Sequence, residues 1–199
     1  GGCMTLPVVF TANGPSGYNL TKSLRFRSSA SAYLNRTPAS ASNRKTWTWS
    51  GWVKHTNIGA GLILLNAGTD NNNRIYLNLT TANTLTFGNA SGGVFTDFRT
   101  TTQVFRDPSA WYHFVIAFDT TQATGGNRAK IYVNGVQITA FSASNDPTQD
   151  ADFAVNNNVL HTIQANAGLT SFFNGYLTEV NFIDGQALTP SSFGETSTT

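Results

Sequence analysis

The sequence predicts an all-β chain, an antiparallel sandwich or barrel with very little helix. Three observations carry that prediction. Apolar and polar residues alternate with a period of two along many short stretches, and Gly, Asn, Asp or Pro interrupts them roughly every 8 to 15 residues. Builders of surface helices are scarce: only 11% of the chain is charged, and its polarity comes from 28 Thr, 16 Ser and 21 Asn, which suit strands and turns. Finally, 14 Phe and 4 Trp among 199 residues supply the ring area for a core, because each aromatic side chain buries a large surface.

Taken in order, Lys22 to Phe26 and Ala32 to Leu34 are short strand candidates. A polar loop, Thr37 to Lys45, leads into a strong strand from Thr46 to Lys54. There Trp47, Trp49, Gly51 and Val53 share one face, and Thr48, Ser50, Trp52 and Lys54 share the other. Leu62 to Asn66 reads as a buried strand, and Asp70 to Asn73 as a turn, since Asn and Asp tolerate left-handed backbone. Arg74 to Leu79 and Thr84 to Gly88 form a hairpin around Thr80 to Asn83. Val94 to Phe98 and Thr101 to Phe105 are two weaker strands, and Asp107-Pro108-Ser109 suits one helical turn. Trp111 to Asp119 is the longest apolar strand, with Tyr112, Phe114, Ile116 and Phe118 on one face and Trp111, His113, Val115 and Ala117 on the other. Beyond a Gly-rich loop, Lys130 to Val133 and Val136 to Thr139 flank Asn134-Gly135, a type I′ hairpin signal because both turn residues accept positive φ. Phe141 to Asn158 reads as a long polar loop and Val159 to Ile163 as a strand. Phe172 to Ile183 is a last strand with a bend at Gly175, and Thr189 to Phe193 begins a short helix.

This pattern gives one domain, residues 22–193, behind an N-terminal arm, residues 1–21, and ahead of a polar tail, residues 194–199. Gly1-Gly2-Cys3 reads as an addition before a native Met4, and the apolar run Leu6 to Phe10 as a segment that docks on a neighbouring subunit or particle. Net charge is +2 and the 12 Lys and Arg are scattered, which argues against a nucleic-acid groove. No apolar run reaches the ~18 residues that span a membrane. With one cysteine, Cys3, the chain has no intrachain disulfide and no cysteine-based zinc site.

Three segments carry a family resemblance. They are Trp47-Thr48-Trp49-Ser50-Gly51-Trp52-Val53; Trp111-Tyr112-His113-Phe114-Val115-Ile116 with Ile131-Tyr132-Val133-Asn134-Gly135; and Phe173-Asn174-Gly175-Tyr176-Leu177-Thr178-Glu179-Val180 leading to Ala187-Leu188-Thr189-Pro190. Together, in this order and spacing, they resemble the concanavalin A-like lectin/glucanase superfamily in its laminin-G or pentraxin-like branch. Thr178 stands where that branch commonly has Asp. Tyr33 to Pro38 and Asn181 to Leu188 resemble laminin-G-like modules of bacteriophage virion proteins, tail fibres above all. The resemblance implies a two-sheet jelly roll with a glycan or receptor site on its loops. It also implies a place on the virion, extracellular on release, among other virion proteins and in a homotrimer, with the chain running on past Thr199. It implies no activity, since one fold hosts many functions.

The residues themselves argue against catalysis. Glycoside hydrolysis needs a pair of carboxylates across the scissile bond. The chain has two Glu, Glu179 and Glu195, lacks the Glu-x-Asp-x-Glu strand of the glucanases, and keeps Asp150 and Asp152 in loop. His55, His113 and His161 have no motif partner, and mid-strand His113 reads as a hydrogen-bonded sheet histidine. Calcium (Ca2+) takes six to eight oxygens from Asp, Asn and carbonyls; Asp70, Asn72, Asp150 and Asp152 are its candidate ligands, although the same residues are ordinary turn formers. Sugar binding needs an aromatic platform and planar hydrogen-bonding side chains. Trp52 and Tyr132, expected on outer sheet surfaces, supply the platform, and Arg74, Asn156, Asn157 and Asn158 the polar set. The expected function is therefore a non-enzymatic adhesion module that binds a host-surface polysaccharide or receptor. The alternative is a structural virion module with no glycan ligand. Four Asn-x-Ser/Thr sequons say nothing about glycosylation, because so Asn- and Thr-rich a chain holds about that many by chance.

Overall fold

The structure is a computed structural model and describes residues 22–172 and 174–194. The expected N-terminal arm lies outside the described residues, as does the tail past Gly194. The alternation in the Trp-rich segment sets the architecture. In β3 (Thr46–His55), Trp47, Trp49 and Val53 turn inward and are fully buried. In β8 (Tyr112–Asp119), Phe114, Ile116 and Phe118 do the same from the neighbouring strand. The other strands are β1 (Leu24–Phe26), β2 (Leu34–Arg36), β4 (Leu62–Asp70), β5 (Asn73–Leu79), β6 (Thr84–Ser91), β7 (Val94–Val104), β9 (Ala129–Val133), β10 (Val136–Gln137), β11 (Phe141–Ser144), β12 (Leu160–Ile163) and β13 (Gly175–Asp184).

These strands make two antiparallel sheets. One has six strands in the order β1-β13-β3-β8-β9-β10, the other seven in the order β11-β7-β6-β5-β4-β12-β2. Among the described residues, helix is confined to three 3-10 turns, at Ser28–Ala30, Gly125–Asn127 and Pro190–Ser192. The sheets face each other across a ring-rich core. Phe87 meets Trp47 and Phe118 edge-on at centroid distances of 5.7 and 5.4 Å, in the T-shaped geometry that ring quadrupoles favour. A smaller cluster lies on the outer face of the six-stranded sheet, where Phe193 packs on Val115, Ala117 and Tyr132.

The two-sheet jelly roll is as expected, and several strand boundaries are not. Val94 to Val104 is one strand, not two: Phe98 is the extra residue where the register shifts between the Phe87–Arg99 and Gly88–Asp97 pairs, and pairing with β6 continues on both sides of it. The loop expected from Phe141 to Asn158 contains β11, which pairs with β7 despite its polar composition. β13 begins at Gly175, and its irregularity falls between Thr178 and Asn181, where Glu179 has a φ of 49°. The Asn134-Gly135 turn has φ values of 49° and 83°, as a type I′ hairpin requires.

Candidate functional site

The outer face of the seven-stranded sheet is built by side chains that meet over β6. Along β5, Ile75, Leu77 and Leu79 enter the core, which leaves Arg74, Tyr76 and Asn78 on the outer face. The register then sets up three rows across β5, β6 and β7: Arg74–Ala90–Phe95, Tyr76–Gly88–Asp97 and Asn78–Thr86–Thr100. Small residues occupy the middle of the first two rows, so the long side chains from either side lie across them. A Cβ on Gly88 would come within 2.6 Å of both the Tyr76 hydroxyl and the Thr96 carbonyl. The Tyr76 hydroxyl therefore reaches over Gly88 and donates to Asp97 Oδ1 at 2.6 Å.

Arg74 lies against this arrangement. Its guanidinium carbon is 5.4 Å from the Tyr76 ring centroid and 6.0 Å from that of Phe95, within cation–π range. Its Nη1 donates to Asn66 Oδ1 on β4 at 3.3 Å. Phe95 is 54% exposed, and beside it Val94 stands further out. Burial, and then the bond to Asp97, push the Tyr76 phenol well above its ordinary value, so it is a neutral donor. Burial also lowers the Arg74 guanidinium, which stays charged.

Polar groups without partners concentrate here. Among the described residues, eight buried side-chain nitrogens and oxygens make no hydrogen bond. Five of them are Asn66 Nδ2, Arg74 Nε, Asn78 Oδ1 and both amide atoms of Gln164, which lies two residues past Thr162, the β12 partner of Asn66. Asn66 and Gln164 are fully buried. Each such atom costs about 1–3 kcal/mol if nothing meets it, and with no exposed surface these atoms lie beneath the face, not on it. An aromatic platform, a guanidinium and a carboxylate can stack on a sugar and bond its hydroxyls. Asp97 is the carboxylate that hydrogen-bonds into this face among the described residues, whereas glycoside hydrolysis by the usual route takes a pair.

Of the residues singled out from sequence, Arg74 belongs to this face. Trp52 and Tyr132 come together on the opposite sheet, lining with His113, Asn134 and Phe193 a groove of about 690 Å3. Trp52 stacks on His113 at 4.8 Å, and His113 Nε2 pairs with Ser50 Oγ at 2.8 Å, the hydrogen-bonded sheet histidine expected. Tyr132 does not stand free as a platform: Phe193 covers it and leaves it 8% exposed.

Asn156, Asn157 and Asn158 hold loops together. Asn156 Nδ2 donates to Asn43 O at 2.7 Å and to Asp184 Oδ1 at 2.8 Å, Asn158 Nδ2 donates to Ala39 O, and Asn157 Oδ1 accepts from the Asn158 amide. The calcium candidates stand apart. The Asp70 carboxylate turns back on its own turn, accepting from the Asn72 amide at 2.7 Å and from Asn73 Nδ2, and these bonds hold it below its usual value. Asp150 and Asp152 face Lys45 and Arg44, each at 3.8 Å. No group of three or more His, Cys, Asp or Glu able to hold a metal occurs among the described residues. As placed, these side chains do not form a shared calcium cradle. Asn66, Tyr76, Phe95, Asp97 and Gln164 escape a reading of sequence, though Gly88 and Ala90 at outward positions of β6 are a legible sign that neighbours lie across it.

No curated protein matches the chain. A native heptameric SAP-like pentraxin from Limulus polyphemus superposes with a TM-score of 0.53 at 14% identity, over 81% of this chain and 73% of that one. Domain 4 of AbnA, a GH43 extracellular arabinanase from Geobacillus stearothermophilus solved with arabinotriose, gives 0.55 at 22% identity, over 76% of this chain and 66% of that one. The CBM40 of the Ruminococcus gnavus IT-sialidase gives 0.52 at 10% identity, over 82% of this chain and 96% of that one. At such identities the likeness is one of fold. A family model, Laminin_G_3, matches residues 28–192, most of the chain, and the protein therefore belongs to that family of the concanavalin A-like lectin/glucanases superfamily.

Proposed function

We propose that this is a non-catalytic carbohydrate-binding domain, and that its binding face is the outer surface of the seven-stranded sheet around Arg74, Tyr76, Phe95 and Asp97. The observation that carries the reading is half-exposed Phe95 with the Arg74 guanidinium 6.0 Å from its ring centroid and the Tyr76–Asp97 pair in the next row. A sugar ring stacks on Phe95, and its hydroxyls bond to the guanidinium and Asp97. The superposed arabinanase domain with its arabinotriose and the CBM40 domain support a glycan as the ligand class. The wording of Tyr33 to Pro38 and Asn181 to Leu188 supports a finer reading, an adhesion module on a phage virion that docks on a host-surface polysaccharide.

A second reading has its own observation. The Trp52 groove joins an aromatic wall to the Asn134-Gly135 turn on the opposite sheet. One experiment separates the two. A glycan and bacterial-polysaccharide array is probed with the wild-type protein, Phe95→Ala and Trp52→Ala, each with calcium and with EDTA. The expected outcome is selective binding that Phe95→Ala weakens about tenfold or more, as the loss of a stacking ring does, and that Trp52→Ala and EDTA leave unchanged. Loss in Trp52→Ala alone moves the site to the groove. Loss in EDTA restores calcium at the Asp70 or Asp150–Asp152 turns. No binding by folded wild-type protein overturns the proposal in favour of a structural module.

A further inference from the structure

The sandwich stays open along one edge. There, among the described residues, the six-stranded sheet ends on β1, which covers Gly175 to Leu177 of β13, and the seven-stranded sheet ends on the three residues of β2. Opposed residues of antiparallel strands point to the same face. Leu24 opposes buried Leu177, Leu34 opposes Ile163, which packs on the core, and Phe182 opposes fully buried Trp49, so all three point inward between the sheets. They are nonetheless 56%, 46% and 37% exposed. Two hollows meet at this edge. One, of about 240 Å3, has Trp49, Leu65 and Phe182 in its wall. The other, of about 750 Å3, has Leu24, Phe26 and Leu177. Leu34, Ile163 and Val180 line both, so the two form one apolar trough between the sheets. Inward-facing leucines and a ring left against water favour an apolar cover.

The chain carries a segment that fits. Lys22 and Ser23 line the trough, and Thr178 Oγ1 donates to Lys22 O at 2.7 Å, so the 21 residues before Lys22 depart from the trough itself. They lie outside the described residues, and their sequence holds one apolar run, Leu6-Pro7-Val8-Val9-Phe10. In extended backbone Leu6, Val8 and Phe10 fall on one side over about 13 Å. Pro7 falls on the other, where its missing N–H is tolerated as at a sheet edge. From Thr178 to Phe182 the trough follows four steps of strand, also about 13 Å. Residues 11–21 tie the run to Lys22, and a coil of that length has ends about 17–20 Å apart, enough to turn back along the trough. The tether also decides between the chain's own trough and a neighbour's. A short flexible linker holds its segment at an effective concentration in the millimolar range, above that of a second copy in a dilute solution.

We propose that Leu6–Phe10 seats in the trough of its own chain, with Leu6, Val8 and Phe10 against Leu34, Val180 and Phe182, and closes the open edge of the sandwich. The test uses the full chain and three variants, Val8→Asp, Leu34→Asn and the two combined, in thermal unfolding and light scattering over a range of protein concentrations. The full chain is expected to be a monomer whose Tm does not change with concentration. Each single variant is expected to lower Tm by about 4 °C or more, and the double variant scarcely further, because the same contact is lost once. Additive losses overturn the inference, since Leu34 then acts without the run. A Val8→Asp Tm within about 1 °C of wild type overturns it as well, and decides alone should Leu34→Asn fail to fold. A Tm that climbs with concentration, alongside dimers or trimers that Val8→Asp dissolves, overturns the assignment to the chain's own trough and gives the run to a second copy.

Discussion

Arg99 and Arg74 put one residue type to two uses. The Arg99 side chain is 3% exposed, and its guanidinium donates to Phe98 O at 2.6 Å, Asn145 O at 3.1 Å and Asp146 Oδ1 at 2.8 Å, with the Phe141 ring 5.6 Å away. It clips β7 to the β11 segment and the loop that follows. Arg99→Met strands those carbonyls and the Asp146 charge, so it is expected to lower unfolding free energy by about 2–4 kcal/mol in urea melts. Asp146→Asn is expected to cost less, since Asp146 is half-exposed and water screens what remains. Arg74 clips nothing comparable: one 3.3 Å bond to Asn66 is its whole hydrogen-bonding commitment among the described residues. Arg74→Gln is therefore expected to change stability by under about 1 kcal/mol while changing what the face binds. Equal destabilisation by both arginine variants would mean that Arg74 is structural.

At the scale of the element, β6 decides whether the site exists. Its inward residues, Leu85 and Phe87, join the core, and its outward Gly88 and Ala90 keep the surface low enough for β5 and β7 side chains to meet. Gly88→Ala places a methyl group 2.6 Å from the Tyr76 hydroxyl and from the Thr96 backbone oxygen. The backbone contact yields only if the β6–β7 ladder shifts. The variant is expected to lose about 1–3 kcal/mol, the usual cost of overpacking, and to lose glycan binding with it. A Gly88→Ala protein that binds normally would show that the Tyr76–Asp97 bridge is dispensable. The same strand shows what sequence can and cannot reveal. Alternation in Thr46–His55 and Tyr112–Asp119 exposes the core directly, because a side-chain period of two needs no knowledge of the partner strand. The turn at Thr80–Asn83 even aligns Tyr76 with Gly88. The third member of each row is hidden, since the β6–β7 register shifts at Phe87/Gly88, and only the folded ladder brings Asp97 and Phe95 to Tyr76 and Arg74. Trp52 and Tyr132 were legible as outward-facing, but Phe193, distant in sequence, covers Tyr132.

Across the whole molecule, stability should depend on three histidines that are held neutral. His55 Nε2 lies 2.7 Å from the Phe105 carbonyl, tying the end of β3 to the chain beyond β7 and so one sheet to the other. With Nε2 donating, Nδ1 is left buried and without a partner among the described residues, so a proton there would have no acceptor. His161 accepts the Asn156 amide at Nε2, 3.0 Å away, and faces the Val159 carbonyl through Nδ1 at 2.8 Å. Protonating Nε2 breaks the hold on Asn156, which itself bonds Asn43 and Asp184. Burial is the leading cause that lowers the pKa of His55, His113 and His161 alike. The unfolded chain therefore binds protons that the folded one refuses. Stability is fully present above the ordinary histidine value of about 6.5 and drains away as pH falls below it. A second loss belongs to Asp119, whose bonds to Thr121, Gln122 and Thr46 outweigh burial and hold its pKa low. That contribution persists down to about pH 4, the ordinary carboxylate range, and is lost below it. Urea midpoints measured from about pH 8 down to 3 are expected to be level, then to decline in these two stages. His161→Gln keeps an amide near Asn156 without a titrating ring, and should remove part of the upper stage only. A midpoint unchanged between about pH 7.5 and 5 would mean that the histidines are free to charge in the folded state, and that His55 does not clasp the two sheets through a neutral ring.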